Sequence, residues 1–423
     1  MQTNTDEMIA RSYETAKKQY ALWGIDTDKA LSSLAGIPLS LHCWQGDDVG
    51  GFEGGGLYGG GIQTTGNYPG KARTPAELRS DLQLAFSLIP GRHRANLHAI
   101  YGDYNGRKVD RDALSPELFS AWISWAKKLG IGLDMNETYF SHPMAESGFT
   151  LSSLDKKVRD FWVTHSLRTR EIAAVMGKEL GTPCIVDLWV QDGYKDLPAD
   201  RHLPRALLKE SLDRIFEKKH DPRHMKDSIE GKLFGIGSES YVVGSHEFYL
   251  GYAAKNNIML TVDMGHYHPT ESVADKISAI LLFVPEMLLH TSRGVRWDSD
   301  HVVILTDDVK AVALEVARAH AWDRVHFALD YFDASINRVA AWVVGARATL
   351  KAILLALLEP SDTLKKEEAA GNHTARLALM EEIKDLPYGA VWDHFCKTQG
   401  APIGSSWMEK VQDYERTVLA TRR

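Results

Sequence analysis

Cysteine is scarce in this 423-residue chain: Cys43, Cys184 and Cys396 are the three, far apart and never in a CxxC pair. That excludes a disulfide framework and a cysteine-rich zinc site, and it favours a reducing compartment. An excess of positive charge is also missing. Lys and Arg total 49 against 56 Asp and Glu, a net charge of −7, and no basic patch stands out, which argues against nucleic acid as a partner. The longest apolar stretches, near Ile280–Leu289 and Ala352–Leu358, are too short to span a bilayer. Met1–Tyr20 is polar and lacks the apolar h-region of a signal peptide, so the expected location is the cytoplasm. No P-loop, HExxH or GxSxG motif occurs, so those chemistries have no local support.

What is present describes a globular enzyme-sized chain. Hydrophobic residues make up 44% and charged residues 25%, enough to bury a sizeable core. Histidine (17) and tryptophan (11) are frequent, and many histidines lie near acids at the ends of β-like runs. Those runs are Pro38–Trp44, Ala95–Tyr101, Gly132–Asn136, Cys184–Trp189, Asp227–Lys232, Ile258–Asp263, Met287–Ser292 and Val325–Asp330, and helical patterns separate them. The helical stretches are Ala76–Leu88, Pro116–Leu129, Leu154–Leu180, Pro204–Lys219, Ser245–Asn256, Glu271–Pro285, Asp307–Trp322 and about Ala334–Leu358. Strands alternating with helices must run parallel, because antiparallel neighbours need only short turns. The expected fold is an α/β (β/α)8 TIM barrel, with an open doubly wound sheet as the alternative. The strand ends decide for the barrel: His42, His98, Asp134 or Glu137, Trp189, Glu230, Asp263, His290 and Asp330 converge on one mouth only if the sheet closes. Residues 1–34 read as an N-terminal helical extension and 35–358 as the barrel. Residues 359–423 read as a helical tail that covers the barrel or packs against another subunit.

The chemistry concentrates in the second half. Glu230, Asp263, His290 and Asp330 end four separate strands, and carboxylates with imidazole suit manganese, zinc, cobalt or magnesium. Asp298 and Asp300, two apart on an extended segment, share a face; with His266 of Asp263-Met-Gly-His266 they can hold a second ion. Each residue alone has an ordinary explanation. A strand-end Asp is commonly a helix cap, as Asp333 is expected to be for the helix beginning near Ala334. A lone core histidine is commonly hydrogen-bonded to backbone. Together, however, so many acids in one mouth repel each other and call for a cation. Lys232, two residues beyond Glu230, is expected beside it, stabilising negative charge on a substrate oxygen. His98 can exchange protons with a hydroxyl or ring oxygen, and Trp44 and Trp189 can wall a sugar's C–H faces. Gly54-Gly55-Gly56-Leu57-Tyr58-Gly59 spells GxGxxG but follows its strand by ten residues and opens no helix. It therefore reads as a loop over the mouth, with Phe52 as an apolar contact, rather than a dinucleotide site.

Several long strings then carry a resemblance. Leu41-His42-Cys43-Trp44-Gln45-Gly46-Asp47-Asp48, Gly66-Asn67-Tyr68-Pro69-Gly70-Lys71 and Phe140-Ser141-His142-Pro143 are three of them. Val295-Arg296-Trp297-Asp298-Ser299-Asp300-His301-Val302 and Asp333-Ala334-Ser335-Ile336-Asn337-Arg338 are the others. The chain resembles the bacterial L-rhamnose isomerase family over essentially its whole length. The resemblance implies a xylose-isomerase-like barrel, a cytoplasmic homotetramer, and interconversion of L-rhamnose with L-rhamnulose, the first step of rhamnose breakdown. Manganese is the implied ion, with Glu230, Asp263, His290 and Asp330 as structural ligands and His266, Asp298 and Asp300 as catalytic ones. Lys232 becomes the substrate-side lysine, His98 the ring-opening histidine, and Trp44 and Trp189 the walls; Asp330 joins His98 and Lys232 among the reacting groups. The expected reaction is a metal-assisted hydride shift between C2 and C1, with an enediol route as its rival. A metal-dependent hydrolase and a non-catalytic sugar-binding protein are the competing classes.

Overall fold

Eight short strands, each followed by helical structure, close on themselves in the computed structural model, which describes residues 2–54, 64–233, 240–295 and 301–422. In chain order they are β1 (Pro38–His42), β2 (Arg92–His98), β3 (Gly132–Asn136), β4 (Cys184–Trp189), β5 (Met225–Glu230), β6 (Met259–Asp263), β7 (Met287–Thr291) and β8 (Val325–Leu329). Every neighbouring pair is parallel and β8 pairs with β1, so the sheet is a closed barrel. The helices are α1 (Gln2–Ala21), α2 (Thr27–Gly36), α3 (Pro75–Leu88), α4 (Ser120–Leu129), α5 (Lys156–Leu180), α6 (His202–Glu217) and α7 (His246–Asn256). They continue as α8 (Ala274–Ile280), α9 (Asp307–Arg318), α10 (Arg338–Leu357), α11 (Ser361–Ala369), α12 (His373–Glu382), α13 (Tyr388–Thr398) and α14 (Trp407–Thr417).

The sequence reading located all eight strands but misjudged several boundaries. Cys43–Gly46 and Ala99–Tyr101 turn into 3-10 helix instead of prolonging β1 and β2. The helix expected over Glu271–Pro285 is only Ala274–Ile280, and the chain turns at Leu281–Phe283 before reaching Pro285. Asp333 does not cap α10. Its carboxylate accepts from the Ser335 backbone N–H and hydroxyl, and Asn337 caps the helix by accepting from Ala340 N–H. The apolar run also extends further than its Ala352–Leu358 core. Among the described residues α10 alone is long and apolar enough to cross a membrane, and 78% of that window is buried inside the fold, which makes it a core helix.

Three wholly buried tryptophans tie the helical layer to the barrel mouth. Trp342 on α10 donates to His42 O at 2.8 Å, Trp122 on α4 to Tyr101 O at 2.8 Å, and Trp162 on α5 to Met144 O at 3.1 Å. Each buries a large apolar surface and still satisfies its one polar atom. The tail packs on its own barrel. Tyr13 of α1 stacks on His394 of α13 with ring centroids 3.8 Å apart, and Arg422 grips Asp81 of α3 through two bonds of 2.6 and 2.8 Å.

Gly177 marks the tightest approach between α5 and the turn leading into β5. A Cβ there would lie 1.7 Å from His224 O. Gly→Ala in a helix ordinarily gains up to about 1 kcal/mol, but the blocking atom is backbone. Gly177→Ala is therefore expected to destabilise by about 2 kcal/mol, read as a lower midpoint in urea unfolding.

Candidate active site

Register brings the ligand-type residues together. Asp263 and His290 are paired across β6 and β7, and Glu230 ends β5 opposite Trp189. Asp330, the first residue past β8, keeps the ladder going by donating its N–H to Thr291 O at 3.2 Å. One ligand atom from each of Glu230, Asp263, His290 and Asp330 lies within 4.8 Å of the others. His290 Nδ1 stands 3.5 Å from Asp263 Oδ2, 3.5 Å from Asp330 Oδ2 and 3.7 Å from Glu230 Oε1. These separations are long for hydrogen bonds. They approach the edges of a coordination shell, since ligands about 2.1 Å from one ion sit about 3.0–3.4 Å apart.

The supporting bonds leave the inner atoms open. Asp263 Oδ1 accepts from Gly265 N–H at 2.6 Å and Ser292 Oγ at 2.8 Å, while Oδ2 is buried without a hydrogen bond. Asp330 Oδ1 accepts from Trp44 Nε1 at 3.1 Å, which leaves Oδ2 facing His290. Neither ring nitrogen of His290 makes a hydrogen bond, although the side chain is fully buried. Buried polar atoms are nearly always paired, so orphaned acceptors converging on one point fit a divalent cation.

The charges agree with that fit. Burial pulls the His290 pKa down, but the Asp263, Glu230 and Asp330 carboxylates outweigh it and hold it well above the usual histidine value. His266 Nδ1 lies 2.8 Å from Glu230 Oε1. Burial and Lys232 oppose its protonation, yet Asp263 and Glu230 raise its pKa to about 10. Burial pushes Asp330 up to about 7. Glu230 is driven up by burial but ends well below its usual value because His266 and His290 face it. The carboxylates of the cluster thus favour positive charge among them.

Aromatic rings line the pocket beside this cluster. His98 meets Trp44 edge-on at 4.7 Å and Phe140 at 5.5 Å, and Phe140 meets Trp189 at 6.1 Å. His98 Nδ1 bonds Thr138 Oγ1 at 3.1 Å, and burial lowers its pKa to about 3, so the imidazole is neutral at physiological pH. Lys232 Nζ sits 4.7 Å from the Trp189 ring centroid. β5 ends at Glu230, so Lys232 lies just beyond the strand; Gly231 between them packs against His246, where a Cβ would lie 2.8 Å from Nδ1.

Some expectations change. Asp134 belongs to the barrel interior, held by Arg94 through two bonds of 2.8 Å and by Ser40 at 2.7 Å. Glu137 packs against Tyr139 and away from the ligand cluster. His42 is enclosed between Trp44 and Tyr331 at 5.3 and 4.4 Å, and burial lowers its pKa to about 3. Phe52 packs edge-on against Tyr101 of its own chain at 5.6 Å. Asp298, Asp300 and most of the glycine-rich run lie outside the described residues, so of the second ion's residues only His266 is described. Phe140 was overlooked as a wall; it sits four residues past β3, where no periodicity points to the pocket.

A closed parallel barrel gathering carboxylates and imidazole under an aromatic wall at its C-terminal mouth is the architecture of a (β/α)8-barrel enzyme with a candidate divalent-cation centre. The comparisons with known proteins narrow the class. The family model described as L-rhamnose isomerase (RhaA) matches residues 7–422. An L-rhamnose isomerase of Rhodopirellula baltica is 55% identical over 98% of this chain and 97% of its own length. One of Salmonella paratyphi B is 53% identical over 98% and 99%. Among solved structures, an L-ribulose 3-epimerase aligns with a TM-score of 0.48 at 13% identity, over 78% of this chain and 97% of that one. The chain belongs to the L-rhamnose isomerase family and is an isomerase.

Proposed function

We propose that the chain interconverts L-rhamnose and L-rhamnulose by a 1,2-hydride shift at the mouth of residues 35–358, with residues 1–34 and 359–423 as helical extensions. The observation that carries the reading is the orphaned Glu230–Asp263–His290–Asp330 cluster beside a lysine and an aromatic wall. Those four residues would hold one divalent cation, manganese by preference, with zinc, cobalt or magnesium able to substitute; His266, Asp298 and Asp300 would hold a second. Bound there, the cations act as Lewis acids on the sugar oxygens and cancel the carboxylate charge.

The chain's own groups do the rest. Trp44 and Trp189 pack the sugar's C–H faces and exclude water. His98, neutral and held by Thr138, takes the proton of the anomeric hydroxyl and returns one to the ring oxygen, opening the ring. Lys232 donates a hydrogen bond to O2 as charge develops there. Asp330, aligned by Trp44, is the remaining reacting-site carboxylate. Hydrogen then moves from C2 to C1 with its electron pair, while O2 loses a proton and O1 gains one, so atoms and charge balance. The family relationship further supports a cytoplasmic homotetramer, which sedimentation at micromolar concentration tests as four chain masses.

The deciding measurement is a colorimetric ketose assay on L-rhamnose in EDTA and after manganese is restored. Ketose should form only in the second. In deuterated water the product C1 should stay essentially unlabelled; substantial label there would exclude the hydride shift and favour an enediol.

A further inference from the structure

Arg111 is a fully buried guanidinium with every N–H engaged, and none of its partners is a substrate or cation ligand. Its Nη1 donates to Thr138 O at 2.9 Å and Phe140 O at 2.6 Å, and its Nη2 to Ser141 O at 3.1 Å. The same fork grips Glu53, through Nε at 3.1 Å and Nη2 at 2.5 Å. One side chain therefore holds three carbonyls of the segment after β3 and the chain entering the glycine-rich run. Those carbonyls belong to the residues that shape the pocket. Thr138 carries the hydroxyl that bonds His98 Nδ1, and Phe140 stands between His98 and Trp189. The segment does not hold this shape by itself: Ser141 adopts φ +54°, a left-handed conformation unusual for serine. A second contact locks the same turn, since Thr138 N–H donates to His165 Nε2 while His165 Nδ1 bonds Arg111 O.

We infer that Arg111, with Glu53 as its counter-ion, is the positioning residue that sets His98 and Phe140 in the pocket. The guanidinium suits this task because its rigid fork can span several carbonyls and a carboxylate at once, which a lysine cannot. Glu53 keeps the buried charge compensated; without it the guanidinium is drawn toward other acceptors and the 138–141 segment shifts with it. The inference rests on the functional reading above, in which His98 opens the ring.

A double-mutant cycle tests it. Glu53→Gln keeps the shape of the side chain and removes its charge. It should lower kcat/KM for L-rhamnose about tenfold, the scale of a sub-ångström misplacement, while manganese binding by equilibrium dialysis stays within about twofold. Glu53→Asp should recover part of the loss, and Arg111→Lys should lose more than Glu53→Gln. In a His98→Asn background Glu53→Gln should cost clearly less than in the wild type, because the part of its action that runs through His98 is gone. Equal losses in both backgrounds, a wild-type-like Glu53→Gln, or manganese binding that weakens in step with activity would each overturn the assignment. Absence of ketose from the wild-type chain would instead defeat the functional reading, and this inference with it.

Discussion

Asp263→Asn should abolish ketose formation, by about 10³-fold or more, and yet melt no lower than wild type when both are held in EDTA. The two halves have one cause. Asp263 Oδ2 is a buried, unbonded oxygen 3.5 Å from His290 Nδ1, while Oδ1 is already fixed by Gly265 and Ser292. Asparagine keeps the size and can keep the Oδ1 bonds, so packing is preserved. It removes one negative charge from a cluster that includes Glu230 and Asp330, and without a cation that charge is a repulsion as much as an attraction. With manganese the balance inverts. The wild type gains binding free energy, about 2.7 kcal/mol at a hundredfold excess over Kd, and the variant forfeits most of it. A lost Lewis-acid arrangement worth several kcal/mol accounts for the activity. The check is a pair of thermal melts, in EDTA and in manganese, for each protein. A variant that gains as much from manganese as wild type does would remove Asp263 from the ligand set.

The parts of this site that were legible in the sequence are those fixed by topology alone. A closed parallel barrel brings strand C-termini to one mouth whatever the loops do, so Glu230, Asp263, His290 and Asp330 could be grouped by reading strand ends. The same rule overreached for Asp134, because a strand residue one turn of the pleat lower faces the barrel interior, and only the partner Arg94 reveals which layer it occupies. Strand alternation alone does not fix the direction of Lys232, because β5 ends at Glu230 and Lys232 lies two residues beyond it. Phe140 and Arg111 left no trace in periodicity, since Phe140 acts from irregular backbone and Arg111 from a three-residue 3-10 helix, Arg111–Ala113, too short to show a period. α2 was included in the 1–34 helical extension without bounds of its own; its cap, Asp26 accepting from Lys29 N–H at 3.0 Å, marks where it starts.

Proton competition gives the second large effect. In chelated protein His290 is raised well above the usual histidine value, His266 to about 10, and Asp330 to about 7. Groups raised on folding stabilise the native state fully below their unfolded pKa, and that stability is lost as pH climbs through the folded value. The chelated chain should therefore lose the contribution of Asp330 between its ordinary value of 3.8 and about 7, and go on weakening from 6.5 toward about 10 as His266 loses its proton. Glu230, depressed well below its usual value by His266 and His290 despite burial, loses its contribution only in acid. A cation entering this cluster must displace the same protons, so its affinity rises with pH by about tenfold per unit for each proton released. The melting temperatures of the manganese-loaded and chelated proteins should accordingly lie closest near pH 6 and separate steadily toward pH 9. A gap that stays level, or closes as pH rises, would mean that the cation does not compete with protons on His290, His266 and Asp330.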